Sequence, residues 1–193
     1  MNAQDRAGRI TELRSIIEAS PGGDVLKLGA AAIARRSVRD SADDYVPDAR
    51  TTLDPGESEG YNHLLAMFEA VFLVAAADGN LMESEVDELA SMLVELTGRV
   101  IPVAEVEQLV ERCANALDRD DYDGRAHAVA AQLEDAASRR TAFVMAVGMA
   151  YIDGEVQEEE RDVFELLAGT FGIPNDEAAA LVESTRNRIE RFD

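Results

Sequence analysis

Two acidic phrases lie 75 residues apart, Ala77-Asp78-Gly79-Asn80-Leu81-Met82-Glu83-Ser84-Glu85 and Ile152-Asp153-Gly154-Glu155-Val156-Gln157-Glu158-Glu159-Glu160. Each has Asp-Gly, an aliphatic residue two positions after the Gly, and a Glu seven positions after the Asp. That spacing matches the second half of a calcium-binding helix–loop–helix loop, where Asp, Gly, the aliphatic residue and a bidentate Glu hold positions 5, 6, 8 and 12. Positions 1 and 3 would be Val74 and Ala76, then Met149 and Tyr151, none of which can ligate a hard cation. Neither copy builds a full loop, and each leaves a half-site.

Two half-sites brought together would offer four carboxylates, from Asp78, Glu85, Asp153 and Glu160. Crowded carboxylates repel and raise one another's pKa, so a cluster of four calls for a cation. An all-oxygen set suits Ca²⁺, Mg²⁺ or Mn²⁺ better than Zn²⁺. Glu83, Glu158 and Glu159 would add charge at the rim. A plainer reading stays open: Asp-Gly makes a turn, and the later Glu favours a helix N-terminus. A reciprocal capping box would want Ser or Thr three residues before each Glu, and Met82 and Gln157 stand there instead.

The elements that must position these residues read as helices. Ile10, Leu13, Ile16 and Ile17 share a face that Ser20-Pro21-Gly22-Gly23 ends. A short helix over 24–39 would turn Val25, Leu28, Ala32 and Val38 inward. Residues 40–59 are polar, with Pro47, Pro55 and Gly56, and read as a linker. Tyr61, Leu64, Leu65, Phe68, Val71, Phe72 and Ala75 keep helical spacing into the first corner. Val86, Leu89, Ala90, Leu93 and Leu96 leave it. Two helices follow, one through Val103, Val106, Leu109, Val110, Cys113 and Leu117, the other through Ala126, Val129, Ala130 and Leu133. Phe143, Ala146, Val147, Ala150 and Tyr151 lead into the second corner; Val163, Phe164, Leu167, Ala168 and Phe171 leave it. Leu181, Val182, Thr185 and Ile189 form the last face.

No stretch alternates with period two, so the expected fold is all-α: a helical bundle with two pseudo-symmetric helix–acidic corner–helix hairpins. Thirty-one alanines, no Trp and five Pro agree. The expected division is an N-terminal helical extension and polar linker at 1–59, then a helical domain at 60–193.

Net charge is −21, which argues against a nucleic-acid partner because the electrostatic part of such binding would be repulsive. Residues 1–39 carry seven bases and four acids, net +3, and residues 40–193 carry 11 bases and 35 acids, net −24. That asymmetry suggests self-association or docking to a cation-bearing surface. Lys27, Arg35, Arg36 and Arg39 could form a membrane-surface helix, though docking against the chain's own acidic body is the preferred reading. No apolar run approaches the roughly 20 residues that span a bilayer. No secretory signal opens the chain, and a single cysteine, Cys113, fits the cytosol.

The twin corners resemble the tellurite-resistance TerB family and the related TerB-like domains, which also occur in some membrane-tethered co-chaperones. The resemblance covers about residues 60–193 and rests on Asp78-Gly79-Asn80-Leu81 through Glu85 and on Asp153-Gly154-Glu155-Val156 through Glu160. Arg140 and Phe171-Gly172-Ile173 support it. It implies an all-helical bundle, a divalent-cation site at the matching Asp and Glu positions, and a non-enzymatic role in stress or tellurite resistance. It also implies a cytoplasmic setting, with protein partners in assemblies near the membrane. Residues 1–59 have no counterpart in the minimal domain. Met82 and Gln157 replace an expected small polar residue.

Other motifs fail on context. Gly56-Glu57-Ser58-Glu59-Gly60 matches a serine-hydrolase elbow, but that elbow needs a strand before it, and Ser58 is expected to start a helix. His63 and His127 lack the Glu-x-x-His of di-iron bundles, and His63 reads as a boundary residue. Asp118, Asp120, Asp121 and Asp123 look like a cation loop without its closing Glu and read as a solvated connection.

Overall fold

The computed structural model describes residues 3–24, 27–33, 55–79 and 83–192, with the side chains of 3, 55–59, 83–85, 153 and 192 excepted. Eight α-helices carry the argument: α1 (Ala3–Ala19), α2 (Pro55–Ala75), α3 (Glu83–Leu96), α4 (Val103–Leu117), α5 (Tyr122–Gln132), α6 (Ala136–Asp153), α7 (Glu158–Phe171) and α8 (Asn175–Ile189). Residues 27–33 are also helical, and a 3₁₀ turn, Glu190–Phe192, follows α8. Among the described residues there is no strand, and the chain is all-α as expected.

The two helices that enter the acidic corners, α2 and α6, pack most extensively on each other and form the axis of the bundle. Their apolar residues run nearly all round: Leu64, Met67, Leu73, Phe143, Met145 and Ile152 are all fully buried. Such all-round hydrophobicity is what a central helix requires. The other helices bury one stripe against this pair. Val163, Phe164, Leu167, Ala168 and Phe171 of α7 are all inside, and Phe164 meets Phe143 edge-on at 6.4 Å between ring centroids, the arrangement ring quadrupoles favour. The hairpins have different neighbours. Helix α3 rests chiefly on α4 and α1, whereas α7 rests on α5 and α6.

The N-terminal helix is part of this core. Ile10, Leu13 and Ile17 are buried in the same cluster as α2 and α6. Helix α1 crosses α6 at Gly148, where a Cβ would overlap the Leu13 side chain, so a larger residue there would force Leu13 to shift. Glu12 and Arg188 join α1 to α8 at 2.6 Å.

Three expectations change. Residues 55–59 belong to α2 rather than to a linker, because Pro is well placed in a first helical turn, where its missing N–H is not needed. The rest of the expected linker, 40–54, lies outside the described residues. Leu28 is exposed at 57%, not inward. Gly29 instead faces α2 so closely that a Cβ would meet the Gly60 carbonyl and Leu64, and that close crossing turns Ala30 and Ile33 to the core beside Ala32, which is buried as expected. Val25 and Val38 lie outside the described residues. Val103, expected on the inner face of α4, is 49% exposed; it occupies the first position after Pro102, before the buried stripe of Val106, Leu109 and Val110 begins.

Candidate functional site

The first corner is a tight turn closing α2. Gly79 donates its N–H to the Ala76 carbonyl at 2.9 Å with φ +75°, a conformation open to glycine at little cost. The second corner ends α6 at Gly154, with φ 148° and ψ −133°, a region essentially reserved for glycine. Both Asp-Gly pairs therefore exist as corners, with different backbone geometry.

The corners share a cleft of about 350 Å³. Asp78 reaches it from the first corner, and Gly154, Glu155, Glu159 and Glu160 from the second, with Ala75 and Ala150 lining it from the ends of α2 and α6. Ala75 and Ala150 hold the same place in the two phrases, three residues before each Asp, a signal visible in the repeat that reasoning from carboxylates alone passes over.

Of the four expected ligands, Asp78 and Glu160 are brought together. Burial pushes the Glu160 carboxyl above its ordinary value, and the nearby Asp78 charge pushes it further, against the lowering effects of the Gln157 amide and Arg161. Asp78 also stands near Tyr122, whose hydroxyl is raised by burial first and by Asp78 second. That hydroxyl donates to the Ala76 carbonyl, tying α5 to the first corner. The side chains of Glu85 and Asp153 lie outside the described residues. Among the described residues, no three His, Cys, Asp or Glu side chains are grouped as a metal ion would need.

The plainer reading of Glu160 has structural content too. Its carboxylate accepts the Gln157 N–H at 2.7 Å, from the first residue before α7. The back-bond of a capping box thus forms without Ser or Thr at the N-cap, because this half needs only the N-cap's own amide. One oxygen serves the helix, and the carboxylate still lines the cleft.

Polar residues outside the motif hold both corners. Arg9 of α1 is buried and donates to the carbonyls of Tyr151 and Ile152, at 3.2 and 3.4 Å. It satisfies orphan carbonyls at the end of α6 immediately before Asp153. Arg6 pairs with Glu88 of α3 at 2.8 Å. Glu69 and Arg125 form a nearly buried pair at 2.7 Å between α2 and α5. No spacing rule reveals these partners, since each pair joins residues far apart in sequence.

The remaining candidates resolve simply. Residues 56–60 lie within α2, so no strand leads into Ser58 and the elbow does not form. His63 is buried rather than at a boundary. Asp121 caps α5 by accepting the Gly124 N–H at 2.7 Å, and Asp120 pairs with Arg125, which makes 118–124 a helix connection. Cys113 is partly buried; burial first, then Glu69, pushes its thiol up to about 12, which makes it a poor nucleophile. Lys27 sits 3.7 Å from Glu18, while Arg35, Arg36 and Arg39 lie outside the described residues. Arg140 holds Glu177 at the start of α8. No helix among the described residues is long and apolar enough to cross a membrane.

Comparison with curated proteins found no match, and comparison with solved structures found none either. A family model described as tellurite resistance protein TerB matches residues 62–183. The match starts within α2, takes in both corners and ends within α8. With well over half of its length matched across an all-helical body, the chain belongs to the TerB family.

Proposed function

We propose that this chain is a non-catalytic TerB-like module that takes up a divalent cation between its acidic corners and uses the occupied state to present a surface to a protein partner. The observation carrying this reading is that Asp78 and Glu160, from opposite corners, line one cleft, where Glu160 is held above its ordinary pKa by burial and by Asp78. Two carboxylates in such a place gain from a hard cation, and water completes the shell of Mg²⁺ or Ca²⁺ readily. Glu85 and Asp153 are the further ligands this reading needs. The cation links α2 to α7 and stiffens both hairpins. The role is in stress or tellurite resistance, or as a scaffold in cytoplasmic assemblies, some of them near the membrane.

Calorimetric titration of chelator-treated protein with Ca²⁺, Mg²⁺ and Mn²⁺ tests the proposal. The wild type is expected to bind and to melt higher by a few degrees, as mass action requires for a ligand of the folded state. Asp78→Asn with Asp153→Asn is expected to lose both effects. Equal heats and melting points in the two proteins would remove the metal. The second reading, a purely structural interaction bundle, draws on the bond from Gln157 N–H to Glu160 and predicts that melting ignores cations and chelators.

A further inference from the structure

Helices α7 and α8 follow one another across Gly172-Ile173-Pro174, yet each rests far more on α6 than on the other. A groove of about 530 Å³ stays open between them. From α7 it takes Arg161, Phe164, Glu165 and Ala168; from α8 it takes Asn175, Ala178, Ala179 and Val182. Both sets are spaced i, i+3, i+4 and i+7, one helical face about two turns long. Phe143 of α6 lies beneath, edge-on to Phe164. The small Ala168, Ala178 and Ala179 leave unfilled the space that larger residues would close. Ala179 is exposed and Val182 half-buried, so the α8 wall is reachable from solvent.

The walls decide what can enter. Backbone groups inside a helix bond to one another, so an extended segment would find no ladder here and would leave its own N–H and C=O groups unpaired. A helical segment brings those bonds with it. We infer that the groove receives an amphipathic helix of a partner protein, with apolar side chains seated between α7 and α8 and Lys or Arg along its flank. Charge on the groove sets that flank. Glu165 is exposed on the α7 wall and makes no ion pair among the described residues. Glu183, on the α8 side, is held by Arg186 at 2.8 Å. The one base on the groove, Arg161, also lies near Glu160. A net charge of −21 favours a basic segment and opposes a second copy of this acidic chain. The inference rests on the partner-binding half of the proposed function, for which it names the surface and the partner's chemistry, and not on the cation.

The chain has no Trp, so a peptide with one tryptophan reports its own burial by fluorescence. The probe is a peptide of about fourteen residues with Trp and Leu on one helical face and Lys on its flanks. Titrated with the full chain, its emission should shift to the blue and saturate. A scrambled peptide of the same composition should bind about tenfold more weakly or worse. Ala179→Phe, at an exposed position outside the core, should fill the groove and weaken the probe similarly. Glu165→Lys should weaken it severalfold more than Glu107→Lys, which changes the net charge equally from an exposed site on α4. Absent saturation, equal binding of the scrambled peptide, or indifference to Ala179→Phe in a protein of unchanged melting temperature would overturn the inference. So would a dimer abolished by Ala179→Phe, which would make the occupant a second copy. A large gain in affinity on replacing residues 40–54 with glycine and serine would overturn it too, by making the occupant the chain's own. Repeating the titration in Mg²⁺ and in chelator keeps the two ideas apart: equal affinity upholds the groove and removes only its link to the cation.

Discussion

Glu160 meets three demands: it caps the start of α7 with one oxygen, lines the cleft between the corners, and endures the charge of Asp78. Its folded-state pKa lies above the ordinary 4.5, so protonation favours the folded chain. That contribution is present below the ordinary value and is lost as pH rises through the raised one. At neutral pH the ionised group is a cost, offset in part by the Gln157 amide. Glu160→Gln removes the charge and keeps an oxygen for that amide. Without divalent cation it is expected to equal or exceed wild-type stability at pH 7, by less than about 1 kcal/mol because solvent screens a half-exposed group. Urea melts should show the gap closing as pH falls below 4.5. A variant clearly weaker at pH 7 would mean that the carboxylate is already engaged by a positive partner. This scale was partly legible in advance. Repetition singled out the Asp and Glu of each corner, whereas the bond to Gln157 depends on a main-chain amide, which any residue at that position supplies.

Among the elements, α1 governs more than its place before the family-matched region suggests. Arg6 ties it to α3 beyond the first corner, and Arg9 ties it to the end of α6 before the second. Arg9→Met is therefore expected to speed amide exchange around residues 151–156 while leaving α4 and α5 unchanged, which hydrogen-exchange mass spectrometry resolves. Uniform protection would deny the strap. The crossing that seats α1 permits a sharper test. Gly148→Ala should cost about 1–3 kcal/mol through overpacking on Leu13, and in a double-mutant cycle Leu13→Ala should relieve much of that cost. Additive losses would mean that α1 and α6 are not in tight register. Periodicity foresaw the buried faces of α1 and α7 because their apolar residues recur every three or four positions. At 27–33 it placed Ala32 inward correctly but Leu28 wrongly, because backbone proximity at Gly29 rather than side-chain size decides which residues face in. It could not foresee Arg9, a charged residue among apolar neighbours whose acceptors lie more than 140 positions away.

For the whole molecule, a net charge of −21 means that compaction gathers negative charge, and monovalent salt alone should stabilise the fold by screening. Raising NaCl from about 10 to about 150 mM is expected to lift the melting temperature, most steeply at the low end where the Debye length shrinks fastest. Mg²⁺ at equal ionic strength should lift it further only if the corners bind. A Mg²⁺ curve superimposable on that of NaCl would reduce the cation effect to screening. Overall charge and helical class were evident from composition, whereas the meeting of the corners was not, because it depends on how α2 and α6 pack.

The seat of α1 has a temporal consequence. It is made largely from α6 and α8, so Glu12 of α1, once synthesised, must wait for 176 further residues before it finds Arg188. Until then Ile10, Leu13 and Ile17 present an oily stripe to solvent or to other chains. Such delayed long-range closure slows folding and invites aggregation. Nascent chains halted before α8 should therefore be held by chaperones through this stripe, and released once α8 emerges.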